Sequence, residues 1–215
     1  VWNFAWEGPD PIQGAAQGGG GRRFGSSGPP AAPGTYTATL SVNGQELTED
    51  FQIRGDPEVE ASQADYQART DASLRGRDLQ SRLNGMINAL VTMRGQVEGV
   101  LEATRGSGMA NAAAVRSHAE AVLEALGSMD NELRRPPPRM GYRQYPRLSE
   151  QLSFVTRGIS QAQARPTEGQ IQVLGEVEEE IEAKAVELQR LISGPVSELN
   201  RLLEGQPRIG VGWSG

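Results

Sequence analysis

From Asp56-Pro57 onward the chain carries four apolar seams built on steps of three and four residues, alternating strictly in the first three, and this spacing confines it to packed helices. The first seam is Leu79, Leu83, Met86, Leu90, Met93, Val97 and Val100, in a helix expected over 61–104. The second, Val115, Ala119, Val122, Leu126, Met129 and Leu133, falls in a helix over 111–134. Leu148, Leu152, Val155 and Ile159 mark a third over 147–164. Ile171, Leu174, Val177, Ile181, Ala185, Leu188, Ile192, Leu199 and Leu202 mark a fourth over 167–204. At 1.5 Å per residue these helices measure roughly 66, 35, 27 and 57 Å, so the middle two add up to about one long helix. The lengths favour a long antiparallel three-helix bundle with a broken middle helix over an up-down-up-down four-helix bundle. Gly194-Pro195 lies inside the fourth helix, where a missing backbone donor demands a kink or a restart. Gly76, Gly85, Gly95 and Gly99 weaken the first helix by about 1 kcal/mol each, so it depends on its neighbours.

Residues 1–56 follow a different rule. Pro33 to Ile53 reads as a β-hairpin about Asn43-Gly44, a dipeptide that tolerates positive φ in a tight turn. Tyr36, Ala38, Leu40 and Val42 alternate with Thr37, Thr39 and Ser41, giving one apolar and one polar face. A lone hairpin is marginal in water and calls for more strands, and Val1 to Trp6 is the remaining candidate, expected to pair in the same sheet. Residues 8–33, rich in glycine and proline, read as a long surface loop. The expected class is therefore α+β: residues 1–56 a small antiparallel sheet or partial Ig-like sandwich, residues 57–205 a helical bundle, and 206–215 a tail.

Several function classes drop out on composition. The net charge of −6 argues against nucleic acid as a partner. No apolar run reaches the length of a membrane span. Without cysteine there is no thiolate chemistry and no sulfur-ligated metal. Arginine outnumbers lysine 20 to 1, a skew that reads as a GC-rich genome. The chain starts at Val1 with no basic-plus-apolar leader, which reads as a processed or truncated end.

The chemistry-bearing residues are few. His118 is the single histidine and reads as a boundary residue on a helix flank beside the seam residue Ala119, with neither a nucleophile elbow nor an orienting acid about it. Glu176, Glu178, Glu179, Glu180 and Glu182 form a solvated helix face, unsuited to the two unlike carboxylates a glycosidase needs. Gly18 to Gly21 followed by Arg22-Arg23 lacks the lysine and hydroxyl ending of a phosphate loop. No catalytic, cofactor-binding or metal-ligating residue is assigned. The segment 134–147 differs from the rest, with five arginines, two tyrosines and no acid. Arginine and tyrosine are typical interface anchors, so Arg135, Arg139, Tyr142, Arg143 and Tyr145 are candidate partner contacts, together with Trp213 in the glycine-rich tail. The alternative is internal, with the loop arginines pairing to the acids of 178–187.

Val1-Trp2-Asn3-Phe4-Ala5-Trp6-Glu7-Gly8-Pro9, the hairpin from Pro33-Gly34-Thr35-Tyr36 to Ile53, and Asp56-Pro57 resemble the C-terminal part of bacterial sortilin-like, BNR-repeat proteins. Tyr145 to Leu152 and Ala164-Arg165-Pro166-Thr167 extend the resemblance into the helices. It implies an exported protein, periplasmic or extracellular, with a β-propeller, an Ig-like or fibronectin-type sandwich and a helical tail. The propeller is missing from this chain, so no hydrolase residue is carried over. The expected function is a non-catalytic protein-interaction or scaffold module. The alternatives are an accessory domain of a glycosyl hydrolase-like propeller enzyme and an extrinsic structural subunit of a large envelope membrane complex.

Overall fold

The computed structural model describes residues 2–13, 27–106, 109–136, 144–203 and 205–213. The fold is α+β, with two small antiparallel sheets ahead of the helices. β1 (Ala5–Glu7) pairs with β2 (Ser27–Pro30), and β3 (Gly34–Val42) pairs with β4 (Gln45–Ile53). The helices are α1 (Gln63–Thr104), α2 (Ala112–Leu133), α3 (Leu148–Gln161), α4 (Glu168–Leu191) and α5 (Ser197–Leu202). A π-helical turn, Ile192–Val196, joins α4 to α5.

The helix starts follow local chemistry. Ser62 caps α1 and Thr167 caps α4, each accepting from the backbone N–H three residues on while Asp65 and Gln170 reach back. The Gly194-Pro195 break takes the form of the π turn, whose wider hydrogen-bond spacing accommodates a proline without an N–H. Pro195 faces solvent and Val196 faces the core.

α1 is the hub. It packs on α2, α3 and α4, while α3 packs on α4, and the π turn and α5 pack on α2. The expected seams are buried across α2 and α3, and in α1 from Leu79 to Val97. In α4 the buried row begins at Leu174, one turn later than expected, because Ile171 lies in the exposed first turn.

Two terminal segments complete the surroundings of α1 with main-chain contacts. Ser81 and Asn88 accept the backbone N–H groups of Asp10 and Gln13 at 3.0 and 2.7 Å. Asn84 and Asn88 in turn donate to the carbonyls of Asp10 and Pro11. From the other end of the chain, Asn200 clamps both backbone groups of Ile209, and Gln96 accepts the N–H of Gly210. Residues 8–33 are thus not all loop: 8–13 run along α1, 27–30 form β2, and the glycine run lies outside the described residues.

The N-terminal strand does not join the hairpin sheet. Phe4, at φ 58°, turns the chain so that Ala5 to Glu7 meet Ser27 to Pro30 instead. Gly28 permits this pairing, since a Cβ there would overlap the carbonyl oxygens of Trp6 and Glu7. What links the N-terminus to the hairpin is ring packing: Trp2 lies 5.5 Å from Tyr36 and 6.0 Å from Phe51.

Candidate protein-docking surface

The residues singled out by the sequence separate into three places. Arg139, Tyr142 and Arg143 lie outside the described residues. Arg135 pairs with Glu150 of α3 at 3.3 Å, and Arg134 pairs with Asp130 of its own helix at 2.6 Å. The internal pairing expected with 178–187 is therefore not the one Arg134 and Arg135 make. Glu178 and Glu182, one turn apart on α4, instead pair with Arg75 and Arg82, two turns apart on α1. Tyr145 is 87% exposed, and Phe154 on the outer side of α3 is 84% exposed. Phe154 went unnoticed in the sequence, although its place off the Leu148 to Ile159 seam already puts it on the outside.

Trp213 packs on its own chain, half-buried beside Gly85 of α1. It shares an open groove of about 820 Å³ with Asp10, Arg75, Arg82, Glu178 and Glu182. Within that groove Arg75 pairs with Glu178 and Arg82 with Glu182, and the carboxylates of Asp10, Asp71 and Asp78 line it as well. A second depression of about 690 Å³ holds Arg94, Asp130, Arg134, Arg135 and Gln144. Asp130 sits between two guanidiniums, 3.8 Å from Arg94 and 2.6 Å from Arg134.

Displaced proton affinities lie outside both grooves. Hydrogen bonds from Ser62, with Arg165 beside it, hold the Asp65 carboxyl down at about 2. Glu132 and Glu187 raise the Lys184 ammonium above the ordinary lysine value. Both are explained by helix capping and by ion pairs between helices. His118 is exposed on α2, and no group of three His, Cys, Asp or Glu able to hold a metal occurs among the described residues. No helix of the described residues is long and apolar enough to cross a membrane.

The hairpin presents the unusual surface. Asn43 at φ 52° and Gly44 at φ 78° make the primed two-residue turn, and pairing continues without a break from Val42↔Gln45 to Gly34↔Ile53. The register sets Tyr36 opposite Phe51 and Leu40 opposite Leu47 on one face. Near the body this face is covered: Tyr36 and Phe51 stack at 6.0 Å under Trp2, and Tyr36 donates its hydroxyl to the Ala32 carbonyl. Toward the tip it is bare, with Leu40 59% and Leu47 69% exposed and Val42 beside them. Trp2, Phe4 and Trp6 are also exposed, and Trp2 joins Phe4 to the hairpin rings. Leu40, Val42 and Leu47 are not among the partner contacts expected from the sequence, although the hairpin that carries them is itself expected. The signal was present in the alternation of 34–42, which builds an apolar face that only a further strand or a partner can cover.

Compared with protein-family models, with curated proteins and with solved structures, the chain finds no match in any of the three.

Proposed function

We propose that this chain is a non-catalytic interaction and scaffold module, in which a helical body holds out a β-ribbon for another protein to complete. The observation that carries the reading is the bare apolar face at Leu40, Val42 and Leu47, on a hairpin whose strands are paired only with each other among the described residues. A two-stranded ribbon exposed on both faces gains little from its own packing, and completion by a partner supplies the burial it lacks. The body suits the task. The arrangement of contacts supports a long three-helix bundle in which α2 and α3 together form the middle member, a stiff arm built on the 42 residues of α1.

In this reading the Ig-like sandwich is an assembled object, with the ribbon as its portion from this chain. The resemblance to sortilin-like proteins adds an exported setting, periplasmic or extracellular, and makes an adjoining sheet of such a protein, or an envelope membrane complex, the natural partner. The Arg75–Glu178 and Arg82–Glu182 pairs tie α1 to α4 and add to the stiffness a scaffold arm needs.

The test is native mass of the chain recovered from its source cells, for the unaltered protein and for a Leu40→Asp, Leu47→Asp double variant. The reading expects a defined assembly that the double variant loses while its helical circular dichroism is unchanged. A chain recovered alone in both forms overturns it.

A further inference from the structure

The two edges of the ribbon are built differently. With a two-residue turn and a continuous register, Val42/Gln45, Leu40/Leu47, Ala38/Glu49 and Tyr36/Phe51 are the pairs that exchange backbone hydrogen bonds. The N–H and C=O groups of Thr35, Thr37, Thr39 and Ser41 therefore point away from β4, and those of Glu46, Thr48, Asp50 and Gln52 point away from β3. Exposed edges invite strand addition, and proteins guard them with charge, proline or a bulge. β4 is guarded by Glu46, Glu49 and Asp50. β3 has no charge, no proline and no bulge over nine residues of mostly β-favouring type. Its outward row is threonine and serine, small hydroxyls that leave room for a neighbour.

The surrounding charge selects the neighbour. Residues 34–60 contain six acids, Glu46, Glu49, Asp50, Asp56, Glu58 and Glu60, against Arg54 alone, so 1 − 6 gives a net charge of −5 in a chain whose total is −6. None of the six is in an ion pair among the described residues. Edge-to-edge pairing of two copies would set two such segments side by side, which disfavours a second copy as occupant.

Resting on the docking reading above, we propose that the β3 edge receives an extended strand of a partner protein in which apolar residues alternate with arginine or lysine. The apolar row of that strand continues the face of Tyr36, Ala38, Leu40 and Val42. Its basic row falls on the threonine side, two strand spacings, about 10 Å, from β4, a gap that an extended arginine and a carboxylate close together. Asp50 already leans toward β3, accepting from the Thr37 hydroxyl at 2.6 Å.

The probe is a synthetic peptide of about ten alternating valine and arginine residues, matched to the length of β3, with a valine–glutamate peptide as control. Amide exchange is followed by NMR on the full chain. The proposal expects the arginine peptide alone to slow exchange at Thr37 and Thr39 and to leave Thr48 and Asp50 unchanged. A Thr39→Pro variant removes one outward donor at an edge position where proline is tolerated, and should weaken peptide binding about tenfold. The proposal is overturned by any of four results: no slowing at millimolar arginine peptide, slowing on β4 instead, equal slowing by the glutamate peptide, or concentration-dependent slowing of β3 without peptide. If the arginine peptide fails but the Leu40, Leu47 double variant still loses its native assembly, docking at the ribbon stands and the basic strand alone is refuted.

Discussion

Gly76 of α1 faces Thr156 of α3 so closely that a methyl group at position 76 would lie 2.5 Å from the threonine Oγ1 and 2.8 Å from its Cγ2. This is the tightest approach of those two helices to which a helical glycine contributes. Gly76→Ala gains about 1 kcal/mol of helix propensity but forces a stiff, β-branched neighbour aside. The expected net result is a loss of about 1–2 kcal/mol in urea unfolding. Adding Thr156→Ala should restore most of it, because the Thr156 hydroxyl has no hydrogen-bond partner to lose.

Gly95 and Gly99 have nothing within 4 Å of where a Cβ would stand. Replacing each with alanine should therefore stabilise the chain by about 0.5–1 kcal/mol. A thermal melt of the two single variants and the double variant checks both the sign and the additivity.

Asp65 accepts from the backbone N–H and hydroxyl of Ser62, at 3.0 and 2.6 Å, and from Arg165 at 2.9 Å. Its carboxyl titrates at about 2, against an ordinary 3.8, so the folded state favours the ionised form. The stabilisation is complete above the ordinary value and disappears as pH falls through 2. Asp65→Asn should be less stable than the parent chain at neutral pH, and the gap should narrow below about pH 4 and close near pH 2. Denaturant unfolding at pH 7, 4 and 2 measures the gap directly.

Asn200 holds Ile209 by donating to its carbonyl at 3.0 Å and accepting its N–H at 2.6 Å, which fixes the tail that carries Trp213 to Gly85. Asn200→Ala should release the tail without unfolding the helices. Exchange of the Ile209 and Gly210 amides is expected to speed by about tenfold to a hundredfold, with the amides of α2 unchanged.

The helices were legible because each buries a narrow row, and a narrow row leaves a strict period in the sequence. Val115 to Leu133 and Leu148 to Ile159 appear in the structure as buried as their spacing demands. α1 was harder, since its middle is enclosed on several sides and Ile87, Ala89 and Asn84 are buried off the seam. The straps that enclose it bind through their main chains to Ser81, Asn84, Asn88 and Gln96, with Ile12, Ile209, Val211 and Trp213 packed on the core, and so few apolar residues in such short segments leave no period to read. The separation of β1 from the hairpin was hidden for a related reason. It turns on the positive φ of Phe4, a conformation that an aromatic side chain gives no cause to expect. At the proposed docking surface the alternation of β3 is plain in the sequence, but Leu40 and Leu47 are ordinary strand residues there, whereas the arginines and tyrosines of 134–147 are the residue types that mark interfaces.

The claim that the ribbon is a docking element is tested most directly by amide exchange over residues 34–53, in the chain held in its native assembly and in the chain alone. The account predicts that the outward amides of Thr35, Thr37, Thr39 and Ser41 exchange slowly in the assembly and quickly in the free chain. Identical exchange along the whole hairpin in both states would contradict it.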